Sequence, residues 1–126
     1  MIANGIKVIN NSALNEINMG AWDGKTFDQI KTDHPMEFKK RGNCIDTFRA
    51  PGGESFYDLS CRVIPFFNQR ITNVAEKILI VTHAGVIRVI LCHILNLKLA
   101  DLFQIKVFYG QLFVLTRKGQ KKIPGA

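Results

Sequence analysis

The stretch KILIVTHAGVIRVILCHILNL, residues 77 to 97, decides the fold. Its first six residues, Lys77 to Thr82, are apolar and β-branched almost without interruption, the pattern of a strand buried on both faces of a parallel sheet. His83-Ala84-Gly85 follows at once, and in residues 84 to 97 ten of fourteen are apolar and lie all around a helix rather than along one stripe. Such a helix must be covered on nearly every side. A buried strand running into a buried helix is half of a β-α-β unit, so the expectation is an α/β three-layer sandwich with a mostly parallel sheet.

Working outward, Glu54 to Val74 carries apolar residues at Phe56, Leu59, Val63, Phe66 or Phe67, Ile71 and Val74, the three-and-four spacing of a core helix. Pro65 inside it removes one hydrogen bond and clashes with the carbonyl four residues back, so a kink or break is expected near Val63 and Ile64. Ser55 with Asp58 three residues on fits an N-cap. Upstream, Thr26 and Gln29 form a capping box for a short helix to about Asp33. His34-Pro35 ends that helix and starts a second over Met36 to Arg41. Ile6 to Asn10 reads as a short strand, residues 11 to 25 and 42 to 53 as loops, and Leu99 to Phe103 as a helical turn. Gln104 to Phe108 and Gln111 to Thr116 are expected as two strands joined at Tyr109-Gly110. One central strand beside an all-apolar helix calls for parallel neighbours that these residues barely provide. The expected organisation is therefore 1–116 as the carboxyl-terminal portion of a domain, truncated at its N-terminus, with 117–126 as a basic tail.

Composition excludes several classes. The chain has 126 residues, 47% of them apolar, with 4 Pro and 10 Gly, an ordinary globular composition. It has no apolar run long enough to span a membrane and no basic-then-apolar leader, and is read as cytoplasmic with no membrane partner. The net charge of +7 comes from 17 Lys and Arg against 10 Asp and Glu, but Arg117, Lys118, Lys121 and Lys122 supply four cations. Without the last ten residues the balance is 13 against 10, or +3, which does not describe a nucleic-acid surface. Cys44, Cys61 and Cys92 show no CxxC spacing and are read as reduced structural thiols.

Three constellations could carry chemistry. In V-T-H-A-G-V-I-R, Val81 to Arg88, a strand stops and a helix begins. His83 would enter the crevice there, and the free N–H groups of Ala84, Gly85 and Val86 would face an anion at the positive helix end. The plain alternative is that His83 caps the turn. In L-N-E-I-N-M-G-A-W-D-G, Leu14 to Gly24, Glu16 is a candidate general acid if Trp22 desolvates it, or else a carboxylate that accepts loop N–H bonds. In A-P-G-G-E-S, Ala50 to Ser55, capping accounts for Ser55 and leaves Glu54 unexplained. His34 and His93 have weaker claims, and Asp23, Asp28 and Glu16 lack a metal-ligand pattern.

Taken in order, L-N-E-x-x-x-G-x-W-D-G, P-G-G-E-S, V-T-H-A-G-V-I-R and F-x-x-x-V-F-Y-G resemble the histidine phosphatase superfamily over nearly all of residues 6 to 116. The likeness is greatest to the α-ribazole phosphatase branch of cobalamin biosynthesis, near the phosphoglycerate mutases. The resemblance implies a phosphomonoesterase working through a phosphohistidine, with no cofactor and no metal, on a small phosphorylated metabolite. Glu16 matches the family's proton donor and His83 its second histidine, which contacts the phosphoryl group. Ala84 and Gly85 match the turn beside that pocket, Glu54 and Ser55 a segment near the substrate mouth, and Arg88 a structural position. The family opens with a strand leading to Arg-His-Gly, which carries the nucleophile and a phosphate-binding arginine, and no Arg-His-Gly occurs in these 126 residues. A covalent mechanism without its nucleophile is expected to be nearly inert. The alternative is a non-catalytic phosphate-binding or assembly module that self-associates through exposed apolar surface.

Overall fold

The computed structural model describes the backbone of residues 2–3, 5–72, 77–116 and 119–123, and the side chains of residues 5–72 and 77–116. The elements in chain order are β1 (Ile2–Ala3), β2 (Ile6–Lys7), α1 (Phe27–Asp33), α2 (Pro35–Asn43), α3 (Phe56–Thr72), α4 (Ala84–Leu95), β3 (Leu112–Thr116) and β4 (Gly119–Ile123). Single 3-10 turns lie at Ser12–Leu14, Gly20–Trp22 and Leu99–Gln104.

The helices begin where their caps dictate. The Thr26 hydroxyl accepts from Gln29 N–H at 3.1 Å and the Gln29 side chain accepts from Thr26 N–H at 2.9 Å, closing the capping box of α1. Pro35 occupies the first turn of α2, where its missing N–H costs nothing. At α3 the Ser55 hydroxyl accepts from Asp58 N–H at 3.0 Å, and the Asp58 carboxylate accepts from Ser55 N–H at 2.9 Å. Pro65 neither breaks nor ends α3, which runs unbroken to Thr72. Both Pro65 and Cys61, whose carbonyl loses its helical partner, lie on the exposed side, so water can satisfy that oxygen. Val74 lies outside the described residues.

Two helices make the core. From α3, Phe56, Leu59, Val63 and Phe67 form one buried stripe, and it packs against Val86, Val89, Ile90 and Cys92 of α4 and Leu102 of the following turn. Each such side chain contributes about 1.5–3 kcal/mol by leaving water. A second cluster joins Trp22, Ile30 and Ala50, with Phe38 and Phe48 partly buried beside them. α4 ends at Asn96 in the left-handed region, where Leu97 N–H bonds back to the Cys92 carbonyl.

The expected parallel sheet is not formed among the described residues. β1 pairs with β2 and β3 with β4, both antiparallel, in two separate ribbons. Lys77 to Thr82 is not assigned to a strand, because a strand exists only through its neighbours and the backbone of residues 78 to 81 has no hydrogen-bond partner among the described residues. Alternate side chains are correspondingly bare, with Leu79 75% and Val81 83% exposed, while Ile80 packs against the α3–α4 core. Gln104 ends the preceding 3-10 turn and Ile105 to Phe108 is irregular, and the partner of β3 is not that segment but β4. Residues 119 to 123 of the expected basic tail therefore have paired backbone; Arg117 and Lys118 lie outside the described residues.

Two stability changes of opposite sign follow. Leu59→Ala empties a fully buried site between α3 and α4 and should cost about 2–5 kcal/mol. Pro65→Ala restores a helical hydrogen bond at an exposed position and should stabilise by up to about 3 kcal/mol. Urea unfolding followed by circular dichroism measures both.

Candidate functional site

The site is built where the loop carrying Glu16 meets the first turn of α4. The Glu16 carboxylate accepts two backbone bonds, from Ile17 N–H to Oε1 at 2.9 Å and from Gly85 N–H to Oε2 at 3.1 Å. Sixty-nine residues of chain separate Glu16 from Gly85, and one hydrogen bond closes that gap. Gly85 is required for this approach, since a Cβ there would overlap the Glu16 carboxylate. Thr82 adds a second tie, its hydroxyl donating to the Leu14 carbonyl at 2.7 Å.

His83 stands at the N-cap of α4 with extended backbone, and its side chain makes no capping bond. The plain capping role is thereby removed. The imidazole is exposed, has no hydrogen-bond partner among the described residues, and borders a cleft of about 420 Å³ with Asn10, Asn11, Ser12 and Asn15. Of the three N–H groups expected to cradle an external anion, that of Gly85 is already taken by Glu16.

Of the predicted site residues only His83 borders this cleft; Glu16, Ala84, Gly85, Glu54 and Ser55 do not. Ser55 is 2% exposed and is spent on the α3 cap. Glu54 is bound by Arg62 of α3, whose Nε donates to Oε2 at 2.9 Å and whose Nη2 donates to Oε1 at 2.9 Å. Oε1 of Glu54 also accepts from Asn18 N–H at 3.0 Å, and Glu54 N–H donates to the Asn18 carbonyl at 2.7 Å. These bonds from Arg62 hold the Glu54 carboxyl below the usual carboxylate range. On the neighbouring turn, Arg49 grips both oxygens of Asp58 at 2.5 and 2.6 Å and pulls that carboxyl down as well.

Trp22 is not the desolvating neighbour of Glu16. It packs on Phe48 with ring centroids 5.2 Å apart, in the second cluster, because proximity in sequence along an open loop does not bring side chains together. The loop is pressed onto residues 50 to 54 backbone to backbone: Ala21 N–H donates to the Pro51 carbonyl at 2.8 Å. Gly20, at φ +54°, has no room for a Cβ against that carbonyl. Arg88 is structural, its Nε bonded to the Ile105 carbonyl at 2.9 Å and its guanidinium 5.0 Å from the Phe103 ring centroid. His93 is exposed and lies 3.2 Å from the Asn68 side-chain oxygen, and His34 is an exposed residue between α1 and α2.

Residues 1–123 match the model of the histidine phosphatase superfamily, branch 1. The chain belongs to the histidine phosphatase superfamily. Among curated relatives, the fructose-2,6-bisphosphatase of Saccharomyces cerevisiae is 36% identical over 84 residues, 67% of this chain and 18% of that protein. The Homo sapiens 6-phosphofructo-2-kinase/fructose-2,6-bisphosphatase 1 is 33% identical over 84 residues, 67% of this chain and 17% of that protein. This superfamily member thus spans about a fifth of the length of these relatives. Among solved structures, a mycobacterial glucosyl-3-phosphoglycerate phosphatase complexed with VO3 is 26% identical at a TM-score of 0.69, covering 81% of this chain and 53% of that one. The α-ribazole phosphatase of Shigella flexneri has the same fold at a TM-score of 0.72 and 20% identity, covering 90% of this chain and 57% of that one. No helix among the described residues is long and apolar enough to cross a membrane.

Arg62 escaped the sequence reading. The available signal was a charged residue next to Leu59 and Val63, at the edge of the buried stripe of α3.

Two outcomes test this geometry. Gly85→Ala should evict the Glu16 carboxylate from the α4 terminus with the core left intact, read as loss of any Glu16-dependent shift at the residue 85 amide. Glu54 and Asp58 have carboxyls lowered in the folded state, so their contribution is full above about pH 4 and is lost as pH falls further. Thermal midpoints should be flat from these groups between about pH 5 and 7 and should drop below about pH 4, less steeply in Glu54→Gln.

Proposed function

We propose that this chain carries the proton-donor wall of a phosphomonoesterase pocket of the phosphohistidine type. Glu16 is the donor to the leaving oxygen, and His83 contacts the phosphoryl group and offsets its charge in transfer. Ala84 and Gly85 form the backbone turn beside it. The observation that carries the reading is the bond from Gly85 N–H to Glu16, which brings the carboxyl to the helix end where His83 stands with no side-chain partner among the described residues.

The substrate is a small phosphorylated metabolite, with α-ribazole 5′-phosphate the first compound to try and fructose 2,6-bisphosphate, named for the yeast relative, the second. The protein works in the cytoplasm, with no cofactor, metal, nucleic acid or membrane as partner. The nucleophilic histidine and the phosphate-binding arginines are not part of these 126 residues, in which no Arg-His-Gly occurs. By themselves these residues are catalytically inert, since the attacking group supplies several orders of magnitude of rate. A second reading, a non-catalytic phosphate-binding or assembly module, is favoured by one observation. Leu79 and Val81 are bare on a segment whose backbone has no partner among the described residues, a surface suited to self-association.

The purified chain should not hydrolyse p-nitrophenyl phosphate above buffer. Inorganic phosphate should shift the His83 ring and Gly85 amide resonances in wild type and not in His83→Ala. Turnover abolished by His83→Ala would overturn the missing-nucleophile reading, and no phosphate shift at either group would overturn the pocket. Translation of the DNA upstream of codon 1 separates the two readings: an Arg-His-Gly in any frame favours the phosphatase, its absence the module.

A further inference from the structure

We propose that Arg62 is a positioning residue for Glu16, with Glu54 as its anchor rather than a substrate contact. The proposal rests on Glu16 being the proton donor and adds how that donor is aimed. A guanidinium is a rigid planar fork of five donors, so what it grips is fixed relative to what carries it. Here the carrier is α3, a helix anchored in the core, with Leu59 and Val63 fully buried on either side of Arg62. The fork grips the acid's loop at three carbonyls, Ala13 and Ser12 through Nη1 at 2.7 and 3.5 Å and Glu16 itself through Nη2 at 3.2 Å. The two bonds to Glu54 set the plane of the fork, and Glu54 in turn holds Asn18 N–H on the far side of the acid.

Glu16 is therefore held from both ends. Its own carbonyl is tied to α3 by Arg62, and its carboxylate is tied to α4 by Gly85 N–H. With the backbone of residue 16 fixed, only side-chain rotations remain, and the bonds from Ile17 and Gly85 settle those. A lysine at position 62 could reach one acceptor at a time and cannot fix the plane. A staple that merely fastened the loop to α3 would need none of its bonds on the acid's own carbonyl. Arg62 also uses on the loop the donors that a substrate phosphate would require, which argues against a ligand-binding role for this arginine.

The Gly85 amide reports the aim of Glu16 directly, without catalytic turnover. Its proton and nitrogen shifts and its exchange rate are measured by NMR in wild type, Arg62→Lys, Glu54→Gln and Glu16→Gln, with the thermal midpoint of each. If Arg62 positions the acid, the Gly85 amide in Arg62→Lys moves at least about halfway toward its Glu16→Gln position and exchanges about fivefold faster, the equivalent of one lost hydrogen bond. Glu54→Gln, which loosens the fork but keeps its shape, moves it the same way and serves if Arg62→Lys does not fold. A lowered midpoint with the Gly85 amide unmoved in the folded variants overturns the proposal. Failure of the donor reading is seen separately, as no effect of Glu16→Gln on the phosphate-induced shift of His83, and leaves the Gly85 result standing.

Discussion

The hydrogen bond from the Gly85 N–H to the Glu16 carboxylate, backed by that from the Thr82 hydroxyl to the Leu14 carbonyl, joins the Glu16 loop to the start of α4. Everything around it serves that closure. Position 85 must be glycine because a side chain would occupy the carboxylate's place. The helix it opens must be rigid, and α4 is rigid because Val86, Val89 and Ile90 are packed against α3. The loop must arrive at the right height, and it does so through backbone contacts with residues 50 to 54 and through Arg62. An anion at a helix N-terminus is stabilised by the orphan N–H groups and the helix dipole. In this superfamily member the anion found there is the protein's own.

That arrangement changes how an incoming phosphate would be received. The sequence alone suggests an empty cradle of three N–H groups, in which charge is simply neutralised. The structure has a carboxylate on the middle one and, one residue before the helix begins, an imidazole with no partner among the described residues. A carboxylate and an imidazole of opposite charge preference at one helix end can divide labour, the one releasing a proton and the other offsetting phosphoryl charge. Glu54 and Ser55 stand behind this pair. The first is locked to Arg62 and the second is buried in the α3 cap, so their contribution passes through the scaffold.

How much of this was legible follows from the range of the interactions. The caps at Thr26 and Ser55, the restart at Pro35 and most of the apolar faces of α3 and α4 are set within four residues and are found where the sequence puts them, although Ile71, Leu95 and Leu97 are exposed. Lys77 to Thr82 reads as a strand for good reason, since its composition suits burial between two layers. Strand formation depends on partners, however, and among the described residues it has none. Trp22 was misjudged because closeness in sequence was taken for closeness in space. That Glu16 and the α4 N-terminus belong to one site was suggested by the order of four motifs, not by the spacing of any one, and the Glu16–Gly85 bond brings those two segments together. Arg62 was invisible for a different reason: its partners across the chain are carbonyls 46 to 50 residues away, and backbone oxygens leave no trace in a sequence.

The same reasoning explains why the apolar side chains at Leu79 and Val81 can be bare while the site nearby stays ordered. Order at the site comes from α3, α4 and the polar clamp, none of which uses the backbone of residues 78 to 81. Thr82 is the point of transfer. Its hydroxyl is already bonded to the Leu14 carbonyl, so the chain is fixed one residue before His83. Neighbouring strands added along 78 to 81 would cover Leu79 and Val81 and satisfy the amides and carbonyls there, but they would not need to move His83 or Glu16. The chemistry-bearing corner is thus built independently of the sheet edge beside it.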